Sequence, residues 1–89
     1  MLAACRPNPF RSHSQISYAL PSTANVSLRV YDVTGRTVRT LVSGSQKPGN
    51  YSASWDARDS YGKQVPYGVY IYRLDTPGFR SVKKAIVTR

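Results

Sequence analysis

Apolar and polar positions alternate along most of this chain, with the period of strands rather than helices. Ile16, Tyr18 and Leu20 fall at every second position, the spacing that puts side chains on one face of a strand. After a turn at Pro21-Ser22-Thr23-Ala24-Asn25 the period resumes, with Val26, Leu28 and Val30 on one side and Ser27, Arg29 and Tyr31 on the other. Asp32-Val33-Thr34-Gly35 predicts a tight turn in which the Asp32 side chain accepts from the backbone and Gly35 takes the left-handed conformation. The hairpin returns through Arg36 to Val42. Val38 and Leu41 are three apart there, so the strand either carries a bulge or loosens into a helical turn, and the bulge is the expectation.

Lys47-Pro48-Gly49-Asn50 is a further turn signal, and Tyr51, Ala53 and Trp55 alternate into the stretch around which the chain is organised, Trp55 to Leu74. Asp56 to Pro66 is the longest irregular connection, with Asp56, Asp59, Ser60 and Gly62 spaced as consecutive turns. Val69 to Leu74 then mixes β-branched and aromatic residues as a central strand packed on both faces would. Asp75-Thr76-Pro77-Gly78 turns the chain into a last strand, Phe79 to Thr88. There Val82, Lys84, Ile86 and Thr88 share one face, and Ile86 is the expected anchor. Ahead of all this, Arg6 to Ser14 holds two prolines and should enter as an extended edge segment with Phe10 tucked in. No helical period of useful length occurs. Short strands recurring at roughly 8 to 12 residues predict an all-β, immunoglobulin-like antiparallel sandwich of about seven strands.

Composition narrows the function classes. Eighty-nine residues allow one small domain with one modest core. No apolar run is long enough for a membrane span. The net charge of +9 could attract nucleic acid or anionic surfaces. The basic residues are scattered from Arg6 to Arg89, with only Lys83 and Lys84 adjacent, so they read as solvated surface and no specific nucleic acid is expected. Cys5 is the only cysteine, which excludes an internal disulfide or a multi-cysteine metal site. Leu2-Ala3-Ala4-Cys5 looks like the end of a lipoprotein signal, but the charged and apolar stretches that should precede it are absent. Residues 1–6 are therefore expected to be a linker or a truncated remnant, and residues 7–89 the domain.

Candidate chemistry is sparse. His13 stands beside Ser12 and Ser14 with no acid near it in sequence, and a triad needs a base held by an acid. Asp56 and Asp59 could pass for a glycosidase pair, but such a pair needs a cleft that holds a sugar. The same carboxylates invite a calcium reading, yet a calcium loop takes about six to eight oxygens, often with a bidentate Glu, and this chain has no Glu. The six glycines are dispersed one per turn rather than gathered into a phosphate-cradling loop. Tyr67, Tyr70 and Tyr72 could stack on bases or sugars, but the last two share a strand face that must pack on something. No catalytic, cofactor or metal residue is assigned, and the chain is not expected to be an enzyme. Structural roles fall to Asp32, Gly35, Trp55, Asp56 and Gly62.

Four segments, taken in order, carry a family likeness: PNPF at Pro7 to Phe10, VSLRVYDVTGRTVRTL from Val26 to Leu41, PGNYSASWDARDSYGKQVPYGVYIYRL from Pro48 to Leu74, and the terminal KKAIVTR. Over residues 7–89 the chain resembles the C-terminal sorting domain (type A) of the bacterial type IX secretion system and the related Ig-like domain of the flagellar hook-capping protein. The resemblance implies a module that ends a secreted chain and is read by a secretion-machinery protein before an upstream passenger is released or attached at the cell surface. It implies an exported protein, in the periplasm in transit and then at the surface or outside. By that resemblance the sorting-signal candidates are Pro7, Asn8, Pro9, Gly49, Tyr51, Gly68, Tyr70, Lys83 and Lys84. A structural or adhesive Ig-like module of an extracellular or hook-cap-like protein is the alternative.

Overall fold

The computed structural model describes Leu2 and residues 5–88; the remaining positions, Ala3 and Ala4 of the lipoprotein-like stretch and Arg89 among them, lie outside the described residues. The strands are β1 (Ser14–Leu20), β2 (Ala24–Tyr31), β3 (Thr37–Gln46), β4 (Gly49–Trp55), β5 (Gly68–Asp75) and β6 (Arg80–Val87). They form a two-stranded sheet, β1-β4, and a four-stranded sheet in the order β3-β2-β5-β6. Every pairing between strands is antiparallel.

The chain is thus an all-β, immunoglobulin-like sandwich, as the alternation predicts. Six strands form among the described residues where about seven are expected. The lead-in does not become a strand because Pro7 and Pro9 have no N–H to give a ladder. It pairs through single bridges instead: Leu2 with Tyr18, Arg6 with Gln15, and Phe10 with Val87.

The core lies between the sheets. Val26, Leu28 and Val30 of β2 meet Tyr70, Tyr72 and Leu74 of β5, with Ala85 and Val87 of β6, across from Ile16, Tyr18 and Leu20 of β1. Trp55 closes one end, only 1% exposed. Its ring meets Phe10 edge-on at 5.6 Å and Tyr70 edge-on at 5.4 Å, the geometry in which a ring's positive rim faces a neighbour's negative face. Phe10 is tucked in as expected.

Two further expectations resolve differently. The bulge in β3 exists, and there are two: register shifts between Leu28 and Arg29 and between Val30 and Tyr31 leave Leu41 and Val38 without an opposite residue. These are the two residues whose spacing broke the period. Strand β5 is interior to its sheet, but it is packed on one face only. Val69 is 41% exposed and Ile71 and Arg73 are half-buried on the outer side, because the partner sheet has two strands and covers only the inner face.

The turns repeat a single design. In Asp32-Val33-Thr34-Gly35-Arg36 the Asp32 carboxylate accepts from the N–H of Thr34 and of Arg36, each at 3.0 Å, while Gly35 N–H donates to Asp32 O. In Asp59-Ser60-Tyr61-Gly62-Lys63 the Asp59 carboxylate accepts from Tyr61 and Lys63 N–H at 2.9 and 3.0 Å, and Gly62 N–H donates to Asp59 O. Gly35 and Gly62 have φ of 89° and 81°, the left-handed region that a Cβ disfavours.

Candidate functional site

The candidate site is built where the lead-in meets the outer edge of β6. Alternation along a strand points successive peptide groups to opposite sides. In β6 the groups of Lys84 and Ile86, and just past it that of Thr88, turn away from β5, and the lead-in takes them up. The Asn8 side chain does this as a short strand would: its Nδ2 donates to Lys84 O at 3.2 Å, and its Oδ1 accepts from Ile86 N–H at 2.9 Å. Phe10 continues the clamp, donating its N–H to Ile86 O at 2.9 Å and accepting from Thr88 N–H at 2.8 Å. Upstream, Ser14 Oγ donates to Pro7 O at 2.7 Å, Arg6 and Gln15 exchange both backbone bonds, and the Cys5 N–H donates to the buried Tyr72 hydroxyl at 2.7 Å. Burial raises the Tyr72 pKa well above the usual tyrosine range, and the neighbouring Cys5 adds to the rise.

Asn8 and Lys84 are therefore in direct contact, with Pro7, Pro9 and Lys83 beside them in the chain. Both lysine side chains are exposed. Gly68 joins this end by pairing with Val87, and Tyr70 by pairing with Ala85. Gly49 and Tyr51 do not: they sit on β4, paired with Leu20 and Tyr18 of the small sheet. The two Gly-x-Tyr pairs are instead linked by form. Each opens a strand, and each tyrosine hydroxyl donates back to the carbonyl four residues earlier, Tyr51 to Lys47 O at 2.5 Å and Tyr70 to Pro66 O at 2.6 Å. Tyr51 also stacks on Tyr18 at 5.4 Å. These tyrosines staple the turns that precede them.

Ile86 is not the anchor of the last strand. The register that sets Tyr70 opposite Ala85 turns odd positions inward, so Ala85 and Val87, each 1% exposed, hold β6 down while Ile86 is half-buried on the outer side. Nor is this strand cheap to remove, since Val87 belongs to the core and β6 carries the Phe10 bridge.

The other candidates are spent on structure. Asp56 accepts from the Arg39 guanidinium at 2.9 Å and from Arg58 N–H at 3.2 Å, Asp59 ties its own turn, and Trp55 Nε1 donates to Arg58 O at 3.0 Å. His13 is exposed and touches Ser12. Of the tyrosine stripe, Tyr70 and Tyr72 are core, whereas Tyr67 is 59% exposed. Among the described residues no three His, Cys, Asp or Glu side chains gather into a metal-binding group.

An antiparallel sandwich whose buried tyrosines and carboxylates serve turns and edges has the make-up of an immunoglobulin-like structural module. The chain belongs to the FlgD Ig-like domain family, whose model matches residues 10–76. Among solved structures it is similar to the dimeric latent PorU of Porphyromonas gingivalis, with 28% identity and a TM-score of 0.73 over 96% of this chain. FlgD of P. aeruginosa is similar at 31% identity and a TM-score of 0.64 over 83%. PorZ, an essential bacterial surface component of the type IX secretion system of P. gingivalis, is similar at 25% identity and a TM-score of 0.68 over 97%. The chain spans 9%, 60% and 11% of those three chains. No curated protein matches it.

Reading the sequence by itself misses the Asn8 clasp and the likeness between the Asp32 and Asp59 turns. The repeats D-x-x-G-R and D-x-x-G-K, and the two G-x-Y pairs, are visible in the letters and could have revealed that likeness. The clasp has no such signal, because it joins residues 76 and 78 positions apart.

Proposed function

We propose that this chain is a non-catalytic C-terminal module that directs secretion and cell-surface sorting of an upstream passenger, acting through a protein of the secretion machinery. The observation that carries the reading is the Asn8 clasp, which fastens the Pro7-Asn8-Pro9 candidates to the strand bearing Lys83 and Lys84 and makes one surface of two distant segments. The likeness to segments of PorU and PorZ across nearly the whole chain supports it. On this reading the protein is exported, passes through the periplasm, and ends at the cell surface or outside.

The test is export. Residues 7–89 fused to a periplasmic reporter, in a host with a type IX system, should carry the reporter outside. A folded fusion that stays in the periplasm contradicts the reading. It would favour a structural or adhesive module of a hook-cap-like scaffold, a second reading supported by the family match and by the likeness to FlgD. The matched span, residues 10–76, leaves Pro7, Asn8, Pro9, Lys83 and Lys84 outside it.

A further inference from the structure

We infer that the outer face of the four-stranded sheet, centred on Arg29 and Arg73, is a docking surface for an acidic segment of a partner protein, with a carboxylate of that segment received by Arg29. This surface is distinct from the Asn8 clasp and does not depend on the sorting reading.

The β2-β5 register sets Arg29 directly opposite Arg73, Tyr31 opposite Ile71 and Ser27 opposite Asp75. All six turn outward, because the alternate positions Leu28, Val30, Tyr72 and Leu74 fill the core. Two guanidiniums thus face each other across the middle of the sheet, and like charges directly opposite are destabilising. On β5 the charge is answered within the strand: Arg73 Nε donates to Asp75 at 2.6 Å, and Asp75 takes Arg80 Nε as well, at 2.7 Å. On β2 the position equivalent to Asp75 holds Ser27, and the ion pairs among the described residues do not include Arg29.

Arg29 is also partly withdrawn from water. It is half-buried, and the two enclosed side-chain polar atoms that have no hydrogen-bond partner among the described residues are both here, Arg29 Nε and the Tyr31 hydroxyl. A cation already stripped of part of its hydration, and held in place, gains more from an oxyanion than a freely solvated one. Arg73 helps to hold it: its Cζ lies 4.8 Å from the centre of the Tyr31 ring. The pair sits on the two interior strands. Leu2 bridges to Tyr18 of the small sheet, and Cys5 donates to the Tyr72 hydroxyl on the inner side, so the large sheet separates both from Arg29. Thr88 is bonded to Phe10 and lies about 20 Å along β6 from Val82, the residue opposite Arg73.

Charge selects the occupant. By register Lys84 stands opposite Ile71 and Arg80 opposite Asp75, so the face sets Arg29, Arg73, Arg80 and Lys84 against the single carboxylate of Asp75. An acidic segment is complementary to it, and the fork of Arg29 matches the two oxygens of a carboxylate. A second copy of this chain is not complementary, since it brings the same cations and a net charge of +9. A protein suits the face better than a membrane. The Tyr31 ring lies half-buried beside Arg73, whereas binding at a bilayer needs apolar side chains that reach into the lipid. Arg and Tyr are enriched at protein interfaces, and half-buried Ile71 with exposed Val69 offers apolar contact next to the arginines.

The probe is an end-blocked Glu-Val-Glu-Val-Glu peptide, titrated into the purified 89-residue chain and followed by NMR at the arginine Nε–H and backbone amide resonances. Saturable shifts centred on Arg29, Tyr31 and Arg73 are expected. Arg29→Gln should weaken binding at least about tenfold, the scale of a lost hydrogen bond to a charged group. Lys47→Gln, the same change of charge at an exposed turn position, should leave it within about twofold. Thr40→Glu sets a carboxylate directly opposite Arg29 and should block the peptide while the fold persists. Absence of binding, equal loss in Arg29→Gln and Lys47→Gln, or undiminished binding to Thr40→Glu would each overturn the inference. So would a concentration-dependent dimer that shifts the same resonances, or a stronger response there to inorganic phosphate or to vesicles of phosphatidylglycerol and phosphatidylcholine in equal parts. The titration contains no secretion machinery, so its failure with export intact counts against this surface alone. Failure of export with peptide binding intact counts against sorting alone.

Discussion

The two edges of the four-stranded sheet meet the same hazard in opposite ways. Strand β3 is long and rich in small polar residues, and it defends itself: bulges at Val38 and Leu41 break its ladder, and Ser60 N–H donates to Val38 O at 3.1 Å across the break. Strand β6 keeps a regular ladder throughout and is covered by a borrowed segment, the Asn8 side chain and the Phe10 backbone, over its C-terminal half. A bulge is fixed by local sequence and cannot be lifted off. A clamp reached across the whole chain can be altered by one substitution, and it leaves part of the edge regular. On the sorting reading proposed above, that difference favours β6 over β3 as the recognised edge.

The largest effect should come from the clamp's apolar end. Phe10 is 3% exposed and packs on Trp55, so Phe10→Ala should cost about 3 to 5 kcal/mol, the usual range for emptying a buried aromatic site. Denaturant midpoints would check this, and a loss below about 1 kcal/mol, smaller than typical core truncations, would show that the lead-in is not part of the core.

Next comes the turn that feeds β3. Gly35→Val should cost on the order of 1 to 2 kcal/mol through its left-handed backbone, and no neighbouring atom lies within 4 Å of where a Cβ would stand, so strain alone sets the loss. Gly62→Val should match it, the two turns being alike. Unequal losses would show that the matching hydrogen bonds hide different energetics.

Removing the polar half of the clamp should do less. Asn8→Ala deletes two exposed hydrogen bonds, worth together about 1 kcal/mol, and should speed amide exchange at Ile86 more than anywhere in β3. Unchanged exchange at Ile86 would mean that water replaces the clasp at no cost.

The smallest effects are those of pH. Burial raises the pKa of Tyr72, and likewise of Tyr18 and Tyr70. A raised folded-state pKa means that the folded chain holds its protons longer than the unfolded one. Stability is thus complete below the unfolded tyrosine value of about 10 and falls as pH rises beyond it. Asp75 behaves in the opposite sense. Burial pushes its pKa up, but hydrogen bonds from Arg80 and Arg73 outweigh this and leave it lowered, so its contribution is present above about pH 4 and fades as pH falls. Asp75→Asn should flatten the acid limb of a stability curve and leave the alkaline limb unchanged. An alkaline limb that moved with it would point to a coupling absent from this account.

What was legible in the sequence followed from local physics. Period-two alternation located the strands other than β3, which reads as the returning arm of a hairpin ending at Val42 and runs on to Gln46; the broken spacing of Val38 and Leu41 marked the bulges, and Asp32 with Gly35 announced its turn. What was hidden depends on distance or on absent neighbours. The alternating apolar residues of β5 look alike whether one face is covered or two, and only the two-stranded partner sheet settles that Val69 stays exposed. The inward parity of β6 is set by its register against β5, so Val87 rather than Ile86 anchors it. Ala57 takes a left-handed φ of 59° while fully buried, which nothing about an alanine announces. The candidate site was legible as two separate groups of residues, and its assembly through Asn8 was not.

Export with edge-selective substitutions tests the central claim most directly. Lys83→Glu with Lys84→Glu places two charge reversals on the β6 edge, and Thr40→Glu with Ser43→Glu places two added charges at exposed positions of β3. Each variant is fused to the same reporter and checked for an unchanged β spectrum. The account predicts that the β6 variant stays in the periplasm while the β3 variant reaches the outside with the parent. Export of the β6 variant at the parent's level, or equal loss in both, would contradict it.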